Sequence, residues 1–131
     1  EQDCDLALWK FAMEMRCVDV AQPDICYLGG LSRTLKVVEM ANKAGLPVTP
    51  HAANMSMVTV FTLHMMGAIS NAGPYVEHAI EGNDDYPWQE DFYRPALVAR
   101  DGKVQIPEGP GWGVDLNPQW LDKAKYQKSE L

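Results

Sequence analysis

The chain has 131 residues, 47% of them hydrophobic, enough for one domain with a real core and too apolar for a disordered chain. Its formal charge of -7 and isoelectric point near 4.8, with eleven scattered basic residues, exclude the electrostatic footprint of a nucleic-acid binder and leave small molecules and protein surfaces as partners. Cys4, Cys17 and Cys26 form an odd set without a CxxC pair, so neither a disulfide framework nor a zinc knuckle is predicted, and a reduced, cytoplasmic setting is expected.

Along residues 3–16 the apolar side chains Leu6, Trp9 and Met13, flanked by Leu8, Ala12 and Met15, recur at helical spacing behind the possible N-caps Asp3 and Asp5. This predicts a helix with one broad buried face. Residues 17–22 (CVDVAQ) read as a short strand ended by Pro23, which has no N–H for a ladder, and Asp24 sits at its mouth. Gly29 and Gly30 give a turn, Ser32 is a candidate cap, and Leu31, Leu35, Val38, Met40 and Ala41 carry a second helix to Ala44, stopped by Gly45 as a C′ glycine. Residues 46–49 predict the next strand, running into Pro50 and His51. A third helix begins at Asn54 or Ser56 and continues through Ile69. Its apolar stretch, residues 55–69, is interrupted by Ser56, Thr59, Thr62 and His64 and is too short and too polar to span a bilayer. Gly73-Pro74 is a break, and residues 75–80 read as a third strand. The strand-helix unit recurs at roughly 27 residues, the rhythm of a parallel βα array.

After Glu81 the rhythm stops. Residues 83–93 are acidic and aromatic, residues 97–106 predict a hairpin around Asp101-Gly102, and a glycine-rich loop follows at residues 109–113. Asn117-Pro118 then starts a short amphipathic helix with a polar tail. Two regions are therefore expected: residues 1–81 with the βα units and residues 82–131 as a closing segment. No basic apolar leader is visible and the first residue is not methionine, so Glu1 is not expected to be the natural start.

Glu1, Asp24, His51 and Glu77 each fall at or just past the end of a predicted β segment. In parallel βα folds such positions converge on one face, where these folds keep their chemistry. His51 is the candidate base, with Asp24 able to hold its Nδ1–H and fix the tautomer. A loop histidine and a helix-capping aspartate are the other reading of the same pair. Glu1 offers a carboxylate to a divalent cation, and Glu77 can exchange a hydrogen bond opposite the base. Glu81 is a rival to Glu77, which strand alternation favours by sending His78 to the opposite face. His64 is expected as a core histidine, and Met55, Met57, Met65 and Met66 as packing. Tyr86 and Trp88 suit either a substrate mouth or burial against another domain or subunit. A metallohydrolase with His51 as ligand lacks a second histidine at ligand spacing.

The runs VDVAQPDICYLGG, PVTPHAANMS, GPYVEHAIE and GPGWGV resemble the C-terminal part of the mandelate racemase branch of the enolase superfamily. The resemblance implies an α/β fold, the C-terminal portion of a TIM-type (β/α)7β barrel with parallel strands alternating with helices, plus a final segment packed on a capping domain. It implies Mg²⁺ as cofactor, with Glu1 the last of three acidic ligands, Asp24 and His51 the dyad, and Glu77 the acid. The first strands, two further metal ligands and a Lys-x-Lys base are not in this chain, since such a barrel takes about 250 residues. The implied chemistry is abstraction of the α-proton of a carboxylate to give an enediolate, with sugar-acid dehydration preferred. Racemisation or epimerisation, or a non-catalytic structural fragment, are the alternatives. The isolated fragment is expected to be inactive, and the parent to be a homo-oligomer that acts on a small carboxylate without nucleic acid or membrane.

Overall fold

A computed structural model describes residues 1–52, 55–81, 84, 86–89 and 91–129. It divides into two compact units, Glu1–Ala79 and Ile80–Leu131. Asn54, named above as a possible helix start, lies outside the described residues.

In the first unit α1 spans Leu6–Glu14 and is capped by Asp5, whose carboxylate accepts from the Ala7 N–H, so the helix starts at the second of the two predicted caps. It buries Trp9 and Met13 against α2, Leu31–Lys43, which turns Thr34, Val37, Val38 and Ala41 inward. Gly45 follows α2 at φ 68, the left-handed conformation of a C′ glycine. The start of α2 differs from expectation: Gly30 occupies the N-cap without a side-chain bond, and Ser32 lies inside the helix. The tight turn at Gly29 and Gly30, with φ 84 and 116, sets the helix start before the serine is reached. The third helix, α3, spans Met57–Ala68, with Ser56 as its N-cap and Thr59, Val60, Thr62, Leu63 and Met65 buried. Met55 is buried with them, and His64 is half-buried within the helix.

The predicted strands at 17–22, 46–49 and 75–80 require correction. Among the described residues only single parallel bridges form there, Ala21 to Val48 and Val48 to Ala72, in the spatial order 21, 48, 72. Prolines account for the brevity. Ala21 N–H donates to Pro47 O at 2.9 Å, Thr49 N–H to Ala21 O at 2.9 Å, and His51 N–H to Pro23 O at 3.1 Å, but the intervening rung would need the N–H that Pro23 lacks. On the other side, Val48 N–H donates to Asn71 O at 2.8 Å and Gly73 N–H to Val48 O at 2.7 Å, and Pro50 has no N–H with which to continue. The third β segment is thus centred on Ala72, and residues 75–80 form no strand. Gly73, predicted as a breaker, sits in the pairing because nothing larger fits: a Cβ there would collide with Thr49 Oγ1 and lie 3.2 Å from Val48 O.

In the second unit, β1 (Tyr93–Arg94) pairs antiparallel with β2 (Asp115–Leu116), and α4 is a single turn, Pro118–Leu121, capped by Asn117. Asn117 is buried, and its amide donates to Asp91 O at 3.0 Å and to Asp91 Oδ2 at 2.7 Å. The 97–106 hairpin reduces to one antiparallel bridge, Arg100 to Lys103, around Asp101 and Gly102 at φ 51 and 72. Tyr86, Trp88 and Trp120 meet edge to face, at 5.5 and 6.4 Å between centroids.

Gly73→Ala is expected to lower stability by about 1–3 kcal/mol, as overpacking of a filled space does, measured by the shift in the denaturant unfolding midpoint. An unshifted midpoint would contradict the close approach to Thr49.

Candidate active site

The Ala21–Val48 bridge sets the register of the site. Three residues beyond each bridge partner stand Asp24 and His51, so the two side chains leave neighbouring β segments on the same side and at the same end. Asp24 Oδ2 lies 2.9 Å from His51 Nδ1. Asp24 is buried, and its Oδ1 accepts from the backbone N–H of Cys26 at 2.6 Å and of Tyr27 at 2.8 Å. One oxygen thus caps the turn after the β segment, whereas α2 has Gly30 and not Asp24 at its N-cap, and the other oxygen meets the imidazole. With the carboxylate fixed by two amides, Nδ1 carries the proton it donates, and Nε2 faces away from Asp24.

On the Nε2 side, Glu1 Oε2 lies 4.0 Å away, with the Glu1 side chain about half-exposed. Glu77 Oε2 accepts from the Ala52 N–H at 2.7 Å, which brings this carboxylate to the residue after His51. The strand alternation offered for choosing Glu77 over Glu81 does not apply, because no strand forms there; Glu77 arrives from an extended loop. Glu81 is exposed.

These surroundings raise the His51 pKa above its ordinary value. The hydrogen bond to Asp24 is the largest cause, partial burial opposes it, and the negative charges of Glu77, Glu1 and Asp24 add to the rise. One neighbour was not foreseen from the sequence. The Tyr27 ring stacks on the imidazole, with centroids 6.0 Å apart and planes inclined by 19°. The available signal was its position three residues after Asp24, where a carboxylate-capped turn returns the chain over its own start.

Such a pair can take a proton at Nε2 and hold the resulting imidazolium against a buried carboxylate. A metal is a separate matter. Among the described residues no three His, Cys, Asp or Glu side chains are grouped to hold one. The Glu1 carboxylate has the hard-oxygen chemistry that Mg²⁺ prefers, and among the described residues no further ligands are grouped with it. A cavity of about 560 Å³ opens elsewhere, beside Lys10, Met13, Arg16, Met40 and Lys43, and holds none of these site residues. Concavity alone does not mark this site.

A carboxylate-oriented imidazole at the ends of parallel β segments joined by helices is the proton-transfer arrangement of a βα enzyme framework. The chain belongs to the enolase C-terminal domain-like family, whose profile it matches over residues 1–120. It is 30% identical to D-galactarolactone cycloisomerase of Agrobacterium fabrum over 90% of its own length and 32% of that protein's. It is 28% identical to arabinonate dehydratase of Saccharolobus solfataricus, over 89% of this chain and 31% of that protein. Among solved structures, a candidate racemase from Roseobacter denitrificans superposes with a TM-score of 0.86 at 55% identity, covering 100% of this chain and 36% of that one. L-Talarate dehydratase from Polaromonas sp. JS666, complexed with Mg and L-glucarate, superposes with a TM-score of 0.70 at 29% identity, covering 93% of this chain and 30% of that one. The chain thus spans about a third of the length of these relatives.

A raised pKa fixes the sign of a pH effect. The stability His51 contributes is complete below the unfolded value of 6.5 and is lost as pH rises through the higher folded value. Asp24→Asn is expected to bring the His51 titration, followed by NMR of its ring protons, back down toward the ordinary value. The stability gap between wild type and variant is expected to be wider in mild acid than in mild alkali. An unmoved titration would contradict the pairing.

Proposed function

We propose that this chain is the C-terminal part of a (β/α)7β-barrel enzyme that removes the α-proton of a carboxylate substrate, and that the reaction is dehydration of a sugar acid. In this reading residues 1–81 carry the last βα units, and residues 82–131 close the barrel against a capping domain. The observation that carries it is the 2.9 Å contact between a buried, amide-fixed aspartate and the imidazole at the next β-segment end.

His51 Nε2 takes the α-proton while Nδ1–H stays on Asp24, so the ring becomes an imidazolium without changing orientation. The charge of Asp24 stabilises that cation, and the two amides on Oδ1 keep the carboxylate from following the proton. The electron pair left at Cα spreads onto the substrate carboxylate as an enediolate. Glu77, held at the Ala52 amide, is the candidate donor toward that developing charge when protonated; placed donors of this kind are worth about 3 kcal/mol. Glu1 would hold Mg²⁺ together with ligands outside this chain, and the ion supplies positive charge beside the substrate carboxylate, making the α-proton more acidic. From the enediolate, the β-hydroxyl leaving as water with the proton held on His51 gives an enol that tautomerises to the 2-keto acid, and return of a proton from solvent or from a donor outside this chain to the other face gives racemisation. The dehydratases and the cycloisomerase among the relatives support a sugar-acid substrate. The 55% identity to a candidate racemase supports racemisation as the second reading.

In the full-length protein that carries this chain, with Mg²⁺ and a panel of sugar acids, His51→Asn is expected to slow exchange of the substrate α-proton with solvent from one face by roughly 10²–10⁴-fold. Undiminished exchange would remove His51 from the mechanism. A 2-keto acid product marks dehydration, and an epimer marks racemisation.

A further inference from the structure

We propose that Arg33 is a positioning residue that holds Glu1 at the site, by clamping the segment that bears Glu1 to the loop that bears Asp24. The proposal rests on the reading of Glu1 as a Mg²⁺ ligand and extends it to a residue outside the site.

The placement of Arg33 is unusual in itself. It is the third residue of α2, where the helix dipole presents its positive end and a cation is disfavoured. No acidic residue shares that first turn, and Gly30 offers no side-chain cap, so helix formation does not explain the charge. Two carbonyls do. Arg33 Nε donates to Leu28 O at 2.6 Å and Nη2 donates to Cys4 O at 2.8 Å. Leu28 closes the turn that Asp24 opens, its N–H donating to Asp24 O at 3.1 Å. Cys4 lies three residues after Glu1.

Among the described residues the other hydrogen bonds of residues 2–5 run to near neighbours: Cys4 Sγ to Gln2 O, Asp5 N–H to Asp3 Oδ1, Ala7 N–H to Asp5 Oδ1, Trp9 N–H to Asp5 O, and Trp9 Nε1 to Asp3 O. The bond from Arg33 to Cys4 O instead spans 29 residues along the chain. The Nε and Nη2 hydrogens leave one edge of a planar guanidinium in fixed directions, so the two carbonyls are held at a set separation. A lysine ammonium on a flexible stem does not fix that separation. The 4.0 Å approach of Glu1 Oε2 to His51 Nε2 is thereby referred to the same loop that fixes Asp24.

The test uses the full-length protein and Mg²⁺ alone as probe, by calorimetric titration, with amide hydrogen exchange of residues 2–9 in metal-free protein as the second readout. Arg33→Ala is expected to weaken Mg²⁺ binding roughly tenfold, as loss of a ligand-orienting contact does. It is also expected to speed exchange across residues 2–9. Arg33→Lys should restore little of the affinity. Asn71→Ala is the control, since Asn71 Nδ2 also ties two carbonyls, Val38 O and Leu46 O, away from Glu1. It should lower thermal stability and leave Mg²⁺ affinity unchanged. Unchanged affinity and exchange in Arg33→Ala, or equal loss of affinity in Arg33→Ala and Asn71→Ala, overturns the clamp while Mg²⁺ binding by wild type stands. A wild-type protein that binds no Mg²⁺ overturns the reading of Glu1, and this proposal with it.

Discussion

The hydrogen bond between Asp24 and His51 is the constraint on which the rest of the site depends, and it is a consequence of register. One parallel bridge between Ala21 and Val48 fixes how far two β segments are offset, and a fixed count of residues beyond it delivers a carboxylate to an imidazole. A slip of one residue would send either side chain to the opposite face. The prolines just beyond the bridges stop the pairing where the side chains of the candidate site begin, so the ladder yields to loop there and backbone groups are left for other partners. The amides of Cys26, Tyr27 and Ala52 meet carboxylates there.

The helices serve this register without entering the site. Trp9 and Met13 of α1 join Val37, Val38 and Ala41 of α2 in one cluster with Ala21, Leu28, Val48 and Met65, and so press the β segments from one side. Burial of this cluster makes the pairing persist although neighbouring β segments are joined by a single bridge each. The site inherits its rigidity from packing beneath it, and its charge from acidic side chains around a single imidazole.

Much of this was legible in the sequence because βα rhythm and special residues coincide. Pro23 before Asp24 and Pro50 before His51 mark two equivalent segment ends, and Asp5, Ser56, Gly45 and Asn117 terminate helices where their chemistry predicts. The third β segment was misplaced because Gly73-Pro74 has the composition of a breaker, whereas the glycine is required by the approach of Thr49 and Val48. That requirement is tertiary and leaves no local trace. Ser32 failed as a cap because the turn geometry at Gly29 and Gly30 decides where α2 begins. Tyr27 over His51 carries only the positional signal of lying three residues after a turn-capping aspartate, because the contact depends on how that turn folds back and not on any spacing of apolar residues. What distinguishes dehydration from racemisation is not written in the dyad either, because both outcomes diverge after the proton has left.

The central claim is that Asp24 selects one tautomer of His51, leaving Nε2 to exchange protons. The most direct measurement is long-range ¹H–¹⁵N correlation NMR of the ring in ¹⁵N-labelled protein, recorded above the His51 pKa. This account predicts the Nδ1–H tautomer, with the proton on the nitrogen that faces Asp24. A neutral ring protonated on Nε2, or an even mixture of the two tautomers, would contradict it.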